Sequence, residues 1–307
     1  MPELIGIVGT GQIGASWAAY FLSRGFEVAA TDPAPGAEER LRAAVAAAWP
    51  ALETIGLAEG ASRDALSFSP DVASLAGAVF VQESGPENLD LKRVVNAQIE
   101  AAVAEDVVIA SSTSGLLISE IQAGTEHPER FVVGHPYNPP HLIPLVEVVG
   151  GPLTSEATVQ RAMEFYATIG KRPILLKKEL RGHVANRLQV AVWREAFSLV
   201  ESGVISVADL DVAMSEGPGL RWALLGPFLN LHASGGAAGI RHTLDHLGGA
   251  MREWAADLAE FPEDDSYMTA MAAGVDDELA GADFAELLQR RDAVLLRLLA
   301  DKRDSGL

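Results

Sequence analysis

The 307-residue chain contains no cysteine. That excludes a disulfide framework, a thiolate nucleophile and a Cys-ligated metal, and no metal site is expected. The chain is also short of positive charge: 23 Lys and Arg stand against 42 Asp and Glu, for a formal net charge of −19. Binding to a phosphate backbone needs clustered cations, so no nucleic acid is expected as a partner, and an anionic membrane surface is disfavoured in the same way. No uncharged apolar run approaches the roughly 20 residues that a membrane-spanning helix needs. A cationic leader is lacking too, the first basic residue being Arg24, so a secretory signal is not expected. The expectation left is a cytoplasmic globular protein of about two domains, its acidity serving solubility or a saline habitat.

The first residues to carry a pattern are "LIGIVG", Leu4 to Gly9. A short apolar, β-branched run ended by glycine reads as a buried parallel strand. "QIGASWAAYFLSRG" then has helical periodicity with a stop at Gly25, and "FEVAATD" reads as a second strand. This is a strand–helix–strand unit of the length a right-handed crossover needs. Residues 37–57 are Ala-rich with apolar residues at helical spacing and predict a long helix. "AVFVQES", "VVIASST" and "RFVVGHP" are further strand-like runs, and "RPILLKKEL" is a candidate last strand. The alternation predicts an α/β fold, a doubly wound parallel sheet over residues 1–181. After Gly182 the pattern is helical only, so residues 182–307 are expected to form a separate all-helical domain.

"GTGQIG" presents Gly9, Gly11, Gln12, Ile13 and Gly14 between the first strand and its helix. The first glycine permits a tight turn, the second lets backbone approach a pyrophosphate, and the third lets helix and strand pack closely. Three glycines alone are a weak signal. Asp32 at the end of the second strand strengthens it, because a carboxylate there accepts hydrogen bonds from ribose hydroxyls. "PAPGAEE" follows with no immediate arginine for a 2′-phosphate, so NAD is expected rather than NADP.

"GHPYNPPHLIPLVEVVGG", Gly134 to Gly151, raises the question of catalysis. Proton transfer at a hydroxyl suits histidine, whose pKa lies near neutrality. It works best when a carboxylate fixes its tautomer. His135 ends a predicted strand at the ligand-binding edge of the sheet, and Glu147 lies inside an apolar run where an unpaired carboxylate is costly. "SSTS" ends a strand at the same edge and offers the Ser111 hydroxyl for a substrate oxygen. Asn186 lies on the first helix of the second domain. On pattern alone, a satisfied structural histidine at 135 fits equally well.

Taken together, "GxGxxG…D", "ASSTS", "GHPYNP…LVEV" and "KKELRGHVANRL" resemble the 3-hydroxyacyl-CoA dehydrogenase superfamily over nearly the whole chain. The resemblance implies a Rossmann-type domain followed by a helical domain that carries a homodimer interface. It implies that His135 is the general base, Glu147 its orienting partner, and Ser111 and Asn186 the groups at the substrate oxygen. It also implies that Glu87, Lys92 and Asn138 lie toward the nicotinamide end of NAD. His141 matches no catalytic position and is expected in a pocket wall or on the surface.

Three departures bear on substrate. No lysine precedes Lys92, and the helical stretch after the second strand has more acids than bases, which suits anionic coenzyme A poorly. Pro136 and Pro140 replace other residues, and "GLRW" brings Arg221 and Trp222 to a loop that differs. These features resemble two subgroups that oxidise small hydroxy acids, the L-carnitine dehydrogenases and the L-gulonate 3-dehydrogenases with their lambda-crystallin relatives. The expected activity is NAD-dependent oxidation of the 3-hydroxyl of a small β-hydroxy acid, L-carnitine foremost. L-gulonate, a 3-hydroxyacyl-CoA and a catalytically silent crystallin-like role are the alternatives. A quaternary ammonium favours an aromatic cage and a carboxylate favours an Arg fork. Trp193, Trp222, Phe228 and Tyr137 are candidate cage members and Arg221 a candidate anchor, with a core position the competing reading of Trp193.

Overall fold

In the computed structural model, which describes residues 2–262 and 264–307, the first element is β1 (Leu4–Val8), followed by α1 (Gln12–Ser23) and β2 (Glu27–Thr31). The Ala-rich stretch is α2 (Ala37–Ile55). Its buried residues Leu41, Val45, Ala48, Trp49 and Leu52 recur at helical spacing and dock it on the core. A short β3 (Leu66–Phe68), which the sequence pattern did not disclose, precedes β4 (Phe80–Glu83), α3 (Leu89–Ala102) and β5 (Val108–Ser111). The remaining elements of this part are α4 (Ile118–Ile121), β6 (Phe131–Pro136), β7 (Leu145–Val149), α5 (Glu156–Thr168) and β8 (Arg172–Leu175).

The eight strands form one sheet in the order β3-β2-β1-β4-β5-β6-β7-β8. Apolar clusters cover both faces, with Ile5, Ile7, Trp17, Phe21 and Tyr166 in one and Val8, Val81, Ile99, Ile109 and Phe131 in the other. Burial on both faces is why these strands read as continuous apolar runs. Strand order reverses at β1 and β4, so their C-terminal ends border the crevice in which such sheets bind ligands.

The sheet departs from a fully parallel one at β6 and β7, which pair antiparallel. Only residues 137–144 connect them, and a parallel return needs a crossover of about a dozen residues or more. The antiparallel register sets His135 directly opposite Glu147.

By internal packing the chain divides into Met1–Arg187 and Leu188–Leu307. Helix α6 (Ala185–Glu201) begins before that division. The second unit continues with α7 (Val207–Ser215), α8 (Pro218–Ser234), α9 (Gly239–Asp257), α10 (Ser266–Leu279) and α11 (Phe284–Ser305). The Ser206 hydroxyl accepts from Asp209 N–H at 3.1 Å and caps α7. Helix α8 breaks at Gly226, whose φ is 73° ahead of Pro227. Among the described residues, no helix is long and apolar enough to cross a membrane.

Candidate active site

The glycine loop is built for close approach. Gly9 has φ +83°, and a Cβ there would stand 2.7 Å from the Ser84 carbonyl oxygen. A Cβ on Gly14 would stand 1.9 Å from the Gly9 oxygen, so α1 can lie this close to the loop only with glycine. Nothing lies within 4 Å of the corresponding position at Gly11, which is the N-cap of α1 and supplies no side-chain cap. The helix terminus therefore keeps its N–H groups for an anion. Gln12 and Ile13 form its first turn.

Asp32 is pre-positioned. One oxygen accepts from Thr10 N–H at 2.8 Å and the Thr10 hydroxyl at 3.1 Å, and the other accepts from Ala34 N–H at 2.9 Å. A carboxylate oxygen has lone pairs beyond these for ribose hydroxyls. Gly9, Gly11, Asp32, Ser84, Leu91 and Val94 are among the residues lining a cavity of 1280 Å³. The cradle of missing Cβ atoms, the uncapped helix end and the fixed carboxylate fit NAD.

Beyond the loop lies a buried ionic cluster. Lys92 is 2 % exposed and its Nζ stands 2.9 Å from both oxygens of Glu83, which is fully buried. The lysine is thus no surface residue at a helix start. Glu87, 4.0 Å from Lys92, accepts from the Thr113 hydroxyl at 2.6 Å and from Ser114 and Gly115 N–H. It therefore ties the loop after β5 to the start of α3.

Ser111, expected at the substrate oxygen, instead donates its hydroxyl to Glu83 at 2.6 Å and is 2 % exposed. Strand periodicity explains the difference: Ser111 is the last residue of β5 and points into the layer between sheet and α3. The exposed serine of the same motif is Ser114, whose carbonyl oxygen accepts from the Asn186 side-chain amide at 3.1 Å. Ser114 and Asn186 are therefore brought together.

The His135–Glu147 pair is formed. His135 Nδ1 stands 2.8 Å from Glu147 Oε2, and both residues are buried. The other carboxylate oxygen accepts from Val184 N–H at 2.8 Å and Ala185 N–H at 3.0 Å. Burial raises the pKa of Glu147, but the hydrogen bonds from His135, Ala185 and Val184 outweigh it and hold the carboxyl below its ordinary range. An ionised Glu147 takes the Nδ1 proton as donor, which leaves Nε2 of His135 with the lone pair. Tyr137 lies edge-on to the His135 ring at 6.5 Å; burial, and then Glu147, raise its pKa.

The turn carrying Asn138 is clamped by two contacts that the sequence did not announce. Buried Lys171 donates to the Pro140 carbonyl and, at 3.1 Å, to that of Ile143, while its ammonium sits 3.7 Å from the centroid of Tyr20 and 5.1 Å from that of Trp17. His141 lies in neither a catalytic position nor a free surface: its Nδ1 is 2.8 Å from the Ser16 hydroxyl, and its N–H donates to the same oxygen at 2.9 Å, which fastens the turn to α1. Glu83 was equally missed, although its place in the apolar run "AVFVQE" is the same signal that singled out Glu147.

Of the candidate substrate residues on the helical unit, Trp193 is 44 % exposed, Trp222 42 % and Phe228 76 %, so Trp193 is not core within the chain. Among the described residues, no ring contact joins these three. Arg221 and Trp222 are neighbours in the first half of α8.

Residues 4–180 match the model of the 3-hydroxyacyl-CoA dehydrogenase NAD-binding domain, and residues 182–265 match that of the family's C-terminal domain. The chain is 50% identical over 298 residues to L-carnitine dehydrogenase of Nocardiopsis dassonvillei, with 95% of this chain and 89% of that protein covered. It is 49% identical over 297 residues to L-carnitine dehydrogenase of Streptomyces griseus, with 96% and 88% covered. Among solved structures, 5-formyl-3-hydroxy-2-methylpyridine 4-carboxylic acid 5-dehydrogenase, an NAD+-dependent dismutase, superposes with a TM-score of 0.83 at 32% identity, covering 97% of each chain.

Proposed function

From the premise that the chain belongs to the 3-hydroxyacyl-CoA dehydrogenase family and is an NAD-dependent dehydrogenase, we propose that it oxidises the 3-hydroxyl of L-carnitine to the ketone, with His135 as general base. The observation that carries the chemistry is the β6–β7 register, which pairs His135 Nδ1 with an ionised, fully buried Glu147. The relatives named above support the substrate. So does the scarcity of cations on α2, where coenzyme A phosphates would need them: its only basic residues are Arg40 and Arg42, and Arg42 pairs with Glu38 at 2.8 Å.

When bound, NAD supplies the hydride acceptor for the carbinol carbon. Gly9, Gly11 and Gly14 with the α1 N-terminus would hold its pyrophosphate and Asp32 its ribose, and Glu87, Lys92 and Asn138 would shape the far end. His135 Nε2 takes the hydroxyl proton, and the imidazolium that forms is stabilised by Glu147. Ser114 and Asn186 hydrogen-bond the carbinol oxygen. Ser111 positions Glu83 and Lys92 behind that loop. By residue type, Trp222, Trp193, Phe228 and Tyr137 are the candidates for a trimethylammonium, which suits an aromatic face, and Arg221 is the candidate for a carboxylate, which suits a guanidinium fork.

The test is NADH formation with L-carnitine, L-gulonate and 3-hydroxybutyryl-CoA, using the wild type and His135→Asn. Turnover of L-carnitine that disappears in His135→Asn, with NAD binding retained, is the expected result. Turnover of the CoA ester alone overturns the substrate, and no turnover of any of the three favours the silent structural role.

The same reading includes a homodimer. Helices α7, α8, α10 and α11 bury no side chain, yet the helical unit exposes Phe228, Leu229 and Trp254. Apolar exposure on this scale marks an association surface. A monomer mass by light scattering at micromolar concentration would remove the dimer from the reading.

A further inference from the structure

His183 stands outside the roles assigned so far, and the structure holds it at a cost. It is 1 % exposed and has φ 48°, a left-handed conformation that a residue with a side chain adopts only when its surroundings impose it. Its Nε2 is 3.0 Å from the Thr113 carbonyl oxygen, whereas its Nδ1 is buried with no hydrogen-bond partner among the described residues. Its ring lies 5.0 Å from the ring of His135, centroid to centroid. The two residues that follow it donate their N–H groups to Glu147. One short turn therefore holds the carboxylate with its backbone and presents a second imidazole to the base.

The tautomer of that imidazole follows from its partners. A carbonyl oxygen only accepts, so Nε2 carries the proton and Nδ1 carries a bare lone pair. The positive end of the ring dipole is spent on Thr113, and the uncompensated end is the negative one. The titratable groups facing His183 are His135, Glu147 and Glu87. Burial foremost, and then His135, lower the His183 pKa against the opposing pull of the Thr113 carbonyl and the two carboxylates, which favours the neutral ring.

We infer that His183 is a positioning residue for the base: an imidazole whose bare Nδ1 stabilises the imidazolium that His135 becomes when it takes the substrate proton. A phenylalanine at this place would fill the same volume without the lone pair. A second cationic imidazole would repel the proton that His135 has to hold. The left-handed backbone and the orphaned acceptor would then have one cause, since the turn that carries both sets this ring 5.0 Å from that of His135. The inference rests on the reading of His135 as general base.

Two measurements test it without relying on turnover. In wild-type protein, nitrogen NMR of labelled histidine should show His183 protonated at Nε2 and bare at Nδ1 throughout the range in which ordinary histidines titrate. A His183 that gains its second proton before or together with His135 overturns the assignment. In His183→Phe, the pH at which the His135 resonance titrates should fall by about 0.5–1 pH unit, a three- to tenfold loss of proton affinity, and the acidic limb of kcat/KM should move the same way. His183→Gln, whose amide can meet Thr113 and still offer an acceptor, should restore both toward wild type. An unmoved or raised titration in His183→Phe overturns the role of His183 alone. Retained turnover in His135→Asn overturns the underlying reading instead, so the two failures are distinct.

Discussion

Glu147→Gln separates the charge of the dyad from its shape. The Glu147 side chain meets three donors: His135 Nδ1 at 2.8 Å, and the N–H groups of Val184 and Ala185 at 2.8 and 3.0 Å. The two backbone donors share one oxygen and can be satisfied only by an acceptor. Glutamine must therefore place its carbonyl oxygen there, which turns its NH2 toward His135. An N–H facing an N–H is repulsive, so the imidazole moves its proton to Nε2 and accepts the amide at Nδ1. That tautomer has no lone pair for the substrate hydroxyl. The expected cost is that of a mis-set tautomer in a triad, about 10³–10⁴-fold in kcat, or about 4–5.5 kcal/mol of transition-state stabilisation. Because no buried donor is orphaned, the melting temperature should change by no more than a few degrees. The assay is steady-state NADH formation with L-carnitine, alongside NADH binding by fluorescence and a thermal melt. A kcat within tenfold of wild type refutes the tautomer argument. Loss of both activity and cofactor binding refutes the claim that shape survives.

Three further outcomes follow from other parts of the structure. Asp32→Ala removes the acceptor fixed by Thr10 and Ala34 and should weaken NAD binding by about 10–100-fold while narrowing the preference over NADP; calorimetric titration with both dinucleotides reads it, and unchanged NAD affinity counts against the ribose role. Lys171→Met leaves the Pro140 and Ile143 carbonyls without their donor and removes the cation from the faces of Trp17 and Tyr20, so urea unfolding should show a loss of about 2–4 kcal/mol; a midpoint equal to wild type shows that the turn holds without the clamp. Stability should fall in acid, because Glu147 and His183 both have lowered native pKa values. The contribution of His183 is complete above the ordinary histidine range, near pH 6.5, and is lost as pH falls toward its native value; that of Glu147 is complete above the ordinary carboxylate range and is lost as pH falls through its own. Urea midpoints compared at about pH 7 and about pH 5 should therefore drop in wild type and drop less in His183→Gln; equal drops exclude His183 as a source.

The local rules of the chain were legible in its order of residues. The strand–loop–helix around Gly9 and Gly14 is dictated by sterics, since only glycine allows those contacts. Asp32 ends a strand whose length is fixed by its apolar run, so its place at the crevice followed as well. His135 and Glu147 could be named because a histidine ending a strand and a carboxylate inside an apolar run are each anomalous without a partner.

What tertiary structure decided is which polar groups meet. The eight-residue turn forces β7 antiparallel, and only that reversal sets Glu147 opposite His135. That Ser111 gives its hydroxyl to Glu83 lay beyond the motif, because it depends on Glu83 reaching across from the neighbouring strand. Lys92 and Lys171 carry no local mark of burial; their partners come from other elements, Glu83 nine positions from Lys92 and Ile143 28 positions from Lys171. His183 is the extreme case, an ordinary histidine in a loop whose meaning comes from Thr113 and His135, 70 and 48 positions away. Periodicity and sterics act between neighbours along the chain and are written in sequence. Hydrogen-bond partners are assigned by the folded packing, and the chemistry of this site is a matter of partners.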